Sequence, residues 1–167
     1  EFRRVLFRSM TFGNNKHKYQ KSKVLRNNEN KTKFIIPGQG VYFFTCNYHS
    51  IGSIEFYNNN EKTLNNLIFY FTPKNIIVFQ NKDILLENQE KNKEKGLINK
   101  SGAYYWISID SQNCQLYCGI GEARIETRTY YYKFEPTHNN KQFLGSLLHI
   151  KSSENITPMR LLRDPIT

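Results

Sequence analysis

Scarcity sets the first limits on this chain. Among 167 residues there are one tryptophan, two methionines, three cysteines and five prolines. Three cysteines cannot form a fully paired disulfide framework. None is needed, because a chain of this length buries roughly 70% of its unfolded surface in an ordinary core. Free thiols in a reducing, cytoplasmic compartment are the expectation. Apolar runs are short, far from the roughly 18 residues of a membrane-spanning helix, so no membrane partner is expected. The histidines (His17, His49, His138 and His149) have no metal-ligand spacing. Cys114 and Cys118 lie four apart but have only Cys46 to complete a set. No metal or other cofactor is therefore expected. G-x-S-x-G, H-E-x-x-H and P-loop motifs are missing. No catalytic residue is assigned, and enzymatic activity of this stretch by itself is not expected.

Asparagine, by contrast, is abundant at 20 residues, and basic residues outnumber acidic ones 24 to 14, for a net charge of +10. Residues Glu1–Ser9, EFRRVLFRS, resemble the in-frame translation of a sequencing adapter joined to a natural insert. Set apart, they take three arginines and one glutamate with them, which leaves +8. Residues 10–33 hold Lys16, Lys18, Lys21, Lys23, Arg26, Lys31 and Lys33 against Glu29 alone. They lack an apolar period and are expected to be a flexible basic arm. From Phe34 onward 14 basic and 12 acidic residues nearly cancel. Nucleic acid is thus expected only through residues 11–33, as weak and strongly salt-dependent contact. Asn-x-Ser/Thr sequons at Asn30, Asn99 and Asn155 are as many as chance supplies at this asparagine content, and do not argue for secretion.

After Phe34, short runs of β-branched and aromatic residues alternate with Asn, Gly and Pro breaks. Such residues suit a pleated, half-buried surface. Strands are predicted at Lys33–Ile36, Val41–Cys46, Ser53–Tyr57, Leu67–Phe71, Ile76–Phe79, Asp83–Leu86, Tyr104–Ile109, Cys114–Tyr117, Ala123–Phe134 and Leu147–Ile150. Spacing of about 8–12 residues predicts an all-β antiparallel sandwich, jelly-roll-like, over residues 34–150. Asn81-Lys82 is predicted to turn one hairpin and Ser111-Gln112-Asn113 a second. Glu87–Lys100 reads as a charged loop. Gln142–Ile150 reads as strand or short helix. Residues 151–167 are expected to be a linker.

Chemistry concentrates between Gly102 and Phe134. Period-2 alternation places Arg124, Glu126, Arg128, Tyr130, Tyr132 and Phe134 on one face of a strand, and Ala123, Ile125, Thr127, Thr129 and Tyr131 on the other. An Arg-Glu-Arg ladder followed by aromatics suits a binding groove, since Arg recognises carboxylates or phosphates in a plane and Tyr stacks on sugars or bases. The same ladder also suits a solvated face with cross-strand ion pairs. Trp106 is either a core anchor or a stacking platform. Gly119-Ile120-Gly121 is a bulge or tight turn rather than a dinucleotide loop, because no helix follows it. Glu122 beside it is a turn carboxylate or a site residue. The candidate ligand-binding set is Trp106, Glu122, Arg124, Glu126, Arg128 and Tyr130.

Tyr105-Trp106-Ile107-Ser108 followed by Gly119-Ile120-Gly121 resembles the farnesoic acid O-methyltransferase-like domain over about Gly40 to Phe134. That family's Gly-Gly-Trp segment is replaced here by Leu64–Phe71. The resemblance implies a jelly-roll sandwich met as an interaction or ligand-binding module. Tyr104–Phe134 together with Pro158–Thr167 is also similar to modules that precede a cupin of the thiol-dioxygenase type. That second likeness implies a regulatory front end and a chain that stops in a linker. The expected function is a non-catalytic accessory module, part of a longer protein, that binds a small molecule, a carbohydrate or another protein.

Overall fold

The structure is a computed structural model, and it describes residues 21–46, 51–58, 64–72, 76–87 and 103–167. Twelve strands run along it: β1 (Ser22–Val24), β2 (Lys31–Lys33), β3 (Gln39–Cys46), β4 (Gly52–Tyr57), β5 (Asn66–Phe71), β6 (Ile76–Gln80), β7 (Asp83–Glu87), β8 (Tyr105–Asp110), β9 (Gln115–Ile120), β10 (Arg128–Lys133), β11 (His149–Ser152) and β12 (Ile156–Leu162). They form two antiparallel sheets of six. The front sheet has the order β1-β12-β3-β8-β9-β10, and the back sheet the order β2-β11-β4-β5-β6-β7. The all-β sandwich expected from the sequence is what the chain adopts.

Alternation explains which face each strand buries. In β4, Ile54 and Phe56 are fully buried while Ser53, Glu55 and Tyr57 are half-buried on the outer side. In β5, Leu67, Phe69 and Phe71 do the same. Rings from the two sheets meet between the layers. Phe44 lies 5.4 Å from Phe71, and Tyr42 meets Phe56 edge-on at 6.4 Å. Such aromatic pairs each add about 0.5–1.5 kcal/mol beyond the area they bury. The tight turn between β6 and β7 forms as read, with Asn81 at φ 47° and Lys82 at φ 76°. Both positive values are what a two-residue hairpin turn of the twisted kind demands.

Several elements differ from the sequence reading. Residues 21–33, within the expected flexible arm, carry β1 and β2. β1 pairs with β12, and β2 with β11 in place of the strand expected at Lys33–Ile36. These edge strands are stitched by main-chain bonds, such as Leu25 N to Met159 O at 2.8 Å, and by buried Leu25 and Phe34. Their other side chains are exposed or half-buried, and they leave no apolar period to read. Residues 151–167, expected as a linker, supply the end of β11 and all of β12, which sits inside the front sheet between β1 and β3. The ambiguous stretch before β11 holds a helix, α1 (His138–Gly145). Its Thr137 cap accepts a hydrogen bond from Asn140 N, and it buries Phe143 and Leu144. Asn99 and residues 88–100 of the charged loop lie outside the described residues.

Candidate functional site

β8 is buried at every position. Its inner side chains, Tyr105, Ile107 and Ile109, face the sandwich core. Its outer ones, Trp106, Ser108 and Asp110, are buried as well, so something covers the outer face of the front sheet. A second, smaller apolar cluster lies there: Val41, Trp106 and Tyr117, with Phe43, Ala123, Ile125, Leu162 and Ile166 packed against it. Two segments cover this cluster. One is the turn from Gly121 to Thr127, the other the stretch from Arg163 to Thr167. Ile166 N donates to the Ser108 hydroxyl at 3.0 Å. Trp106 is fully buried, in keeping with the anchor reading, yet it anchors this outer cluster and not the inter-sheet core. Its indole lies against Gly119, where a side chain has no room.

The turn is built from its own sequence. Gly121 takes φ +83°, a conformation costly for residues with a Cβ. A single 3-10 turn follows at Ile125–Thr127. The Thr127 hydroxyl donates to Glu122 O and Arg124 O and accepts from Arg124 N at 3.2 Å. Ala123 and Ile125 point onto the Trp106 cluster, and Arg124 and Glu126 are exposed. Glu122 is exposed too and pairs with Arg124 at 3.7 Å. With more than half of each side chain in solvent, that pair contributes at most about 1 kcal/mol.

Arg128 departs from the expected ladder. Its pairing partner is Gly119, whereas that of Tyr130 is Cys118, so Thr129 is the extra residue of a β-bulge. The bulge turns Arg128 and Tyr130 to opposite sides of the sheet. Arg128 lies over the ring of Tyr131 at 4.9 Å and that of Tyr117 at 5.7 Å, and one guanidinium nitrogen donates to Ile125 O at 3.2 Å. Tyr130 instead points into the core, where burial, aided by the neighbouring Cys118, pushes its hydroxyl up to about 12. The single strand expected over Ala123–Phe134 is therefore corrected to a 3-10 turn, a bulge and β10. Tyr130, Tyr132 and Phe134 share the core-facing side as expected, and Arg128 is separated from them by the bulge. Glu122, Arg124, Glu126 and Arg128 are each exposed, Trp106 is buried in the cluster against which Ala123 and Ile125 pack, and Tyr130 lies in the core. Tyr117 and Tyr131 join the site unanticipated. Their signal was present as aromatics near Arg128, but their side of the sheet depends on a bulge that alternation does not reveal.

The cysteines do not form a reactive centre. Cys46, Cys114 and Cys118 are buried thiols outside any disulfide, and burial raises the pKa of each, to about 11 for Cys46. A thiol held protonated at neutral pH is a poor nucleophile and a poor metal ligand. Cys114 sits in the turn before β9 at φ 55°, outside the strand that holds Cys118. His149 stacks on Tyr57 with ring centres 5.1 Å apart. Among the described residues no cluster of three or more His, Cys, Asp or Glu is placed to hold a metal ion. Likewise, no helix among them is long and apolar enough to cross a membrane.

No family model matches the chain, and no curated protein matches it in sequence. Neither the farnesoic acid O-methyltransferase-like nor the cupin-associated resemblance gains support from those comparisons. Among solved structures, the chain is similar to a doubly substituted human galectin-16, with a TM-score of 0.48 and 9% identity, over 86% of this chain and 94% of that one.

Proposed function

We propose that this sandwich is a non-catalytic binding module, and that its contact surface is the ridge Glu122, Arg124, Glu126 and Arg128 with Tyr131 beside it. The observation that carries this reading is a set of exposed charges of alternating sign on a turn fixed from within. Thr127 ties the turn to itself, Ala123 and Ile125 anchor it on Trp106, and Arg128 clamps Ile125 O while stacking on two tyrosines. A surface held in shape before binding loses little conformational entropy on association. Alternating sign favours a protein surface of complementary charge over a purely anionic ligand, because each glutamate would repel the latter. In this reading Trp106 sets the shape of the ridge from below, and Tyr130 contributes through the core alone.

The test places a photo-crosslinking residue at position 126, with a control at position 82 on the β6–β7 turn, in the native cell extract. A discrete adduct is expected at 126 only, and it should disappear when Arg124→Glu is added. Equal labelling at both positions, or an adduct indifferent to Arg124→Glu, would overturn the reading. A carbohydrate partner would show instead on a glycan array as a signal lost in Arg124→Ala. The cupin front-end reading draws no support from the geometry, since residues 156–162 form a strand within the sandwich.

A second reading keeps a specific observation. On the back sheet Lys31 stands opposite Lys151. Like charges paired across strands cost stability unless a counter-ion relieves them. This extends the expected nucleic-acid contact of residues 11–33 onto β11. Binding to single-stranded DNA should fall steeply with salt, and weaken with Lys151→Ala; salt-independent binding would remove the idea.

A further inference from the structure

The stretch Arg163–Thr167 covers part of the Trp106 cluster without belonging to any strand ladder. Its main chain is tied by Arg163 N to Lys21 O at 2.9 Å and by Ile166 N to the Ser108 hydroxyl at 3.0 Å. The Ile166 side chain rests against the Val41, Trp106 and Tyr117 cluster. The chain bends at Arg163 and Asp164 as it leaves β12, and Pro165 fixes its own φ, so the segment turns off the ladder as a strap. Beneath it, Ser108 is fully buried on a strand and spends its hydroxyl on the strap's main chain. The Trp106 indole N–H is fully buried too, and finds no acceptor among the described residues. A buried donor left without a partner costs about 1–3 kcal/mol.

From this geometry we infer that the outer face of the front sheet at Val41, Trp106, Ser108 and Tyr117 is a peptide-binding groove. Its ligand class is an extended segment with an aliphatic residue after proline. The chain's own Arg163–Thr167 fills the groove in cis. Ser108 accepts a main-chain N–H of the occupant, the aliphatic side chain covers Val41 and Tyr117, and the Trp106 N–H is the donor that a better-fitting occupant satisfies. A strap outside the strand ladders opens at lower cost than the ladders around it. A segment of the same chemistry from another chain then exchanges with it. This goes beyond the ridge reading, which uses exposed charges and not the groove floor.

Trp106 is the only tryptophan, so its fluorescence reports the cluster that the strap and the 121–127 turn cover. In the full chain, Ile166→Asp should shift the emission to longer wavelength and raise acrylamide quenching several-fold, with the circular dichroism of the sandwich retained. Adding the peptide LRDPIT should reverse both changes, and the same peptide with aspartate in place of isoleucine should not. A folded Ile166→Asp chain whose tryptophan stays shielded would overturn the inference. So would an exposed tryptophan that LRDPIT fails to cover. Where Ile166→Asp does not fold, hydrogen exchange of the unaltered chain decides. The Ile166 amide should exchange at least a hundredfold faster than that of Ile107 in β8, and equal protection of the two would overturn the inference. The crosslink at position 126 reads a different surface, so either reading can fail alone.

Discussion

Gly119 faces Trp106 across the β8–β9 ladder. A Cβ placed there would lie 2.6 Å from the indole Cε2 and 2.7 Å from Thr127 O. Neither neighbour is the free end of a flexible chain, so one methyl group has to move a ring or a strand. Gly119→Ala should therefore cost about 1–3 kcal/mol, the range for overpacking. It should also displace the turn that carries Arg124 and Glu126. Urea unfolding measures the first effect and Trp106 emission the second; unchanged values for both would mean that the indole does not sit on Gly119. The sequons have a comparable residue-level explanation. Asn155 donates its side-chain amide to Ile51 O at 2.8 Å, and Asn30 donates to Ser153 O at 3.2 Å. The nitrogen that would carry a sugar is a structural donor in both. Asn155→Ala should lower stability by about 1 kcal/mol in the same urea assay.

Elements show where alternation suffices and where it fails. The β6–β7 hairpin needs positive φ at two residues, and lysine is poorly suited to it: Lys82 holds φ 76°, where a Cβ costs roughly 1–2 kcal/mol. Lys82→Gly should raise the urea midpoint at an unchanged slope, with a net gain of about 0.5–1 kcal/mol after the added freedom of the unfolded chain. A lower midpoint would show that the turn is not of this kind. That hairpin, and strands β3 to β6, were legible because each buries one face, so that Ile54, Phe56, Leu67 and Phe69 recur every second residue. β1 and β2 were not legible, since main-chain bonds and Asn30 hold them rather than a buried row. β8 carries Ser108 and Asp110 on its outer face and still buries both faces, and only the fold reveals that Arg163–Thr167 and Ala123–Thr127 do the covering. The candidate site was half legible. Arg124 and Glu126 are exposed, but on a 3-10 turn and not on the strand that period 2 implied. Thr129 then adds one residue, and everything beyond it changes face: Arg128 ends with Tyr117 and Tyr131, and Tyr130 with Cys118. A bulge is a pairing mismatch between two strands, so neither strand's own sequence states it.

At the scale of the whole molecule, aromatic and thiol groups buried between the sheets tie stability to alkaline pH. Burial pushes the Tyr42 hydroxyl up to about 12; its hydrogen bond with Ser152 pulls it part of the way back, and the nearby charge of Glu29 adds a little more. Tyr130 is likewise raised to about 12, and Cys46 to about 11. Each group is thus protonated more firmly in the folded chain than in the unfolded one. Their contribution is complete below the unfolded values, about 9 for the thiol and 10 for the phenols. As pH rises further, the unfolded chain ionises first and the contribution is lost, from about pH 9 until pH passes the folded values near 12. The urea midpoint should therefore be level, for these groups, between pH 7 and 8.5 and fall above pH 9. Lysine deprotonation works the other way, by relieving the repulsion of a +10 chain, so the unaltered protein reports only the sum of the two effects. Tyr42→Phe separates them. At pH 7 it should cost about 1 kcal/mol for the lost hydrogen bond to Ser152. Between pH 10 and 11.5 its midpoint should fall less steeply than that of the unaltered chain, because one raised phenol is gone while every lysine remains. Parallel profiles for the two proteins would mean that Tyr42 titrates alike in both states, and that the interior between the sheets is open to water at that point.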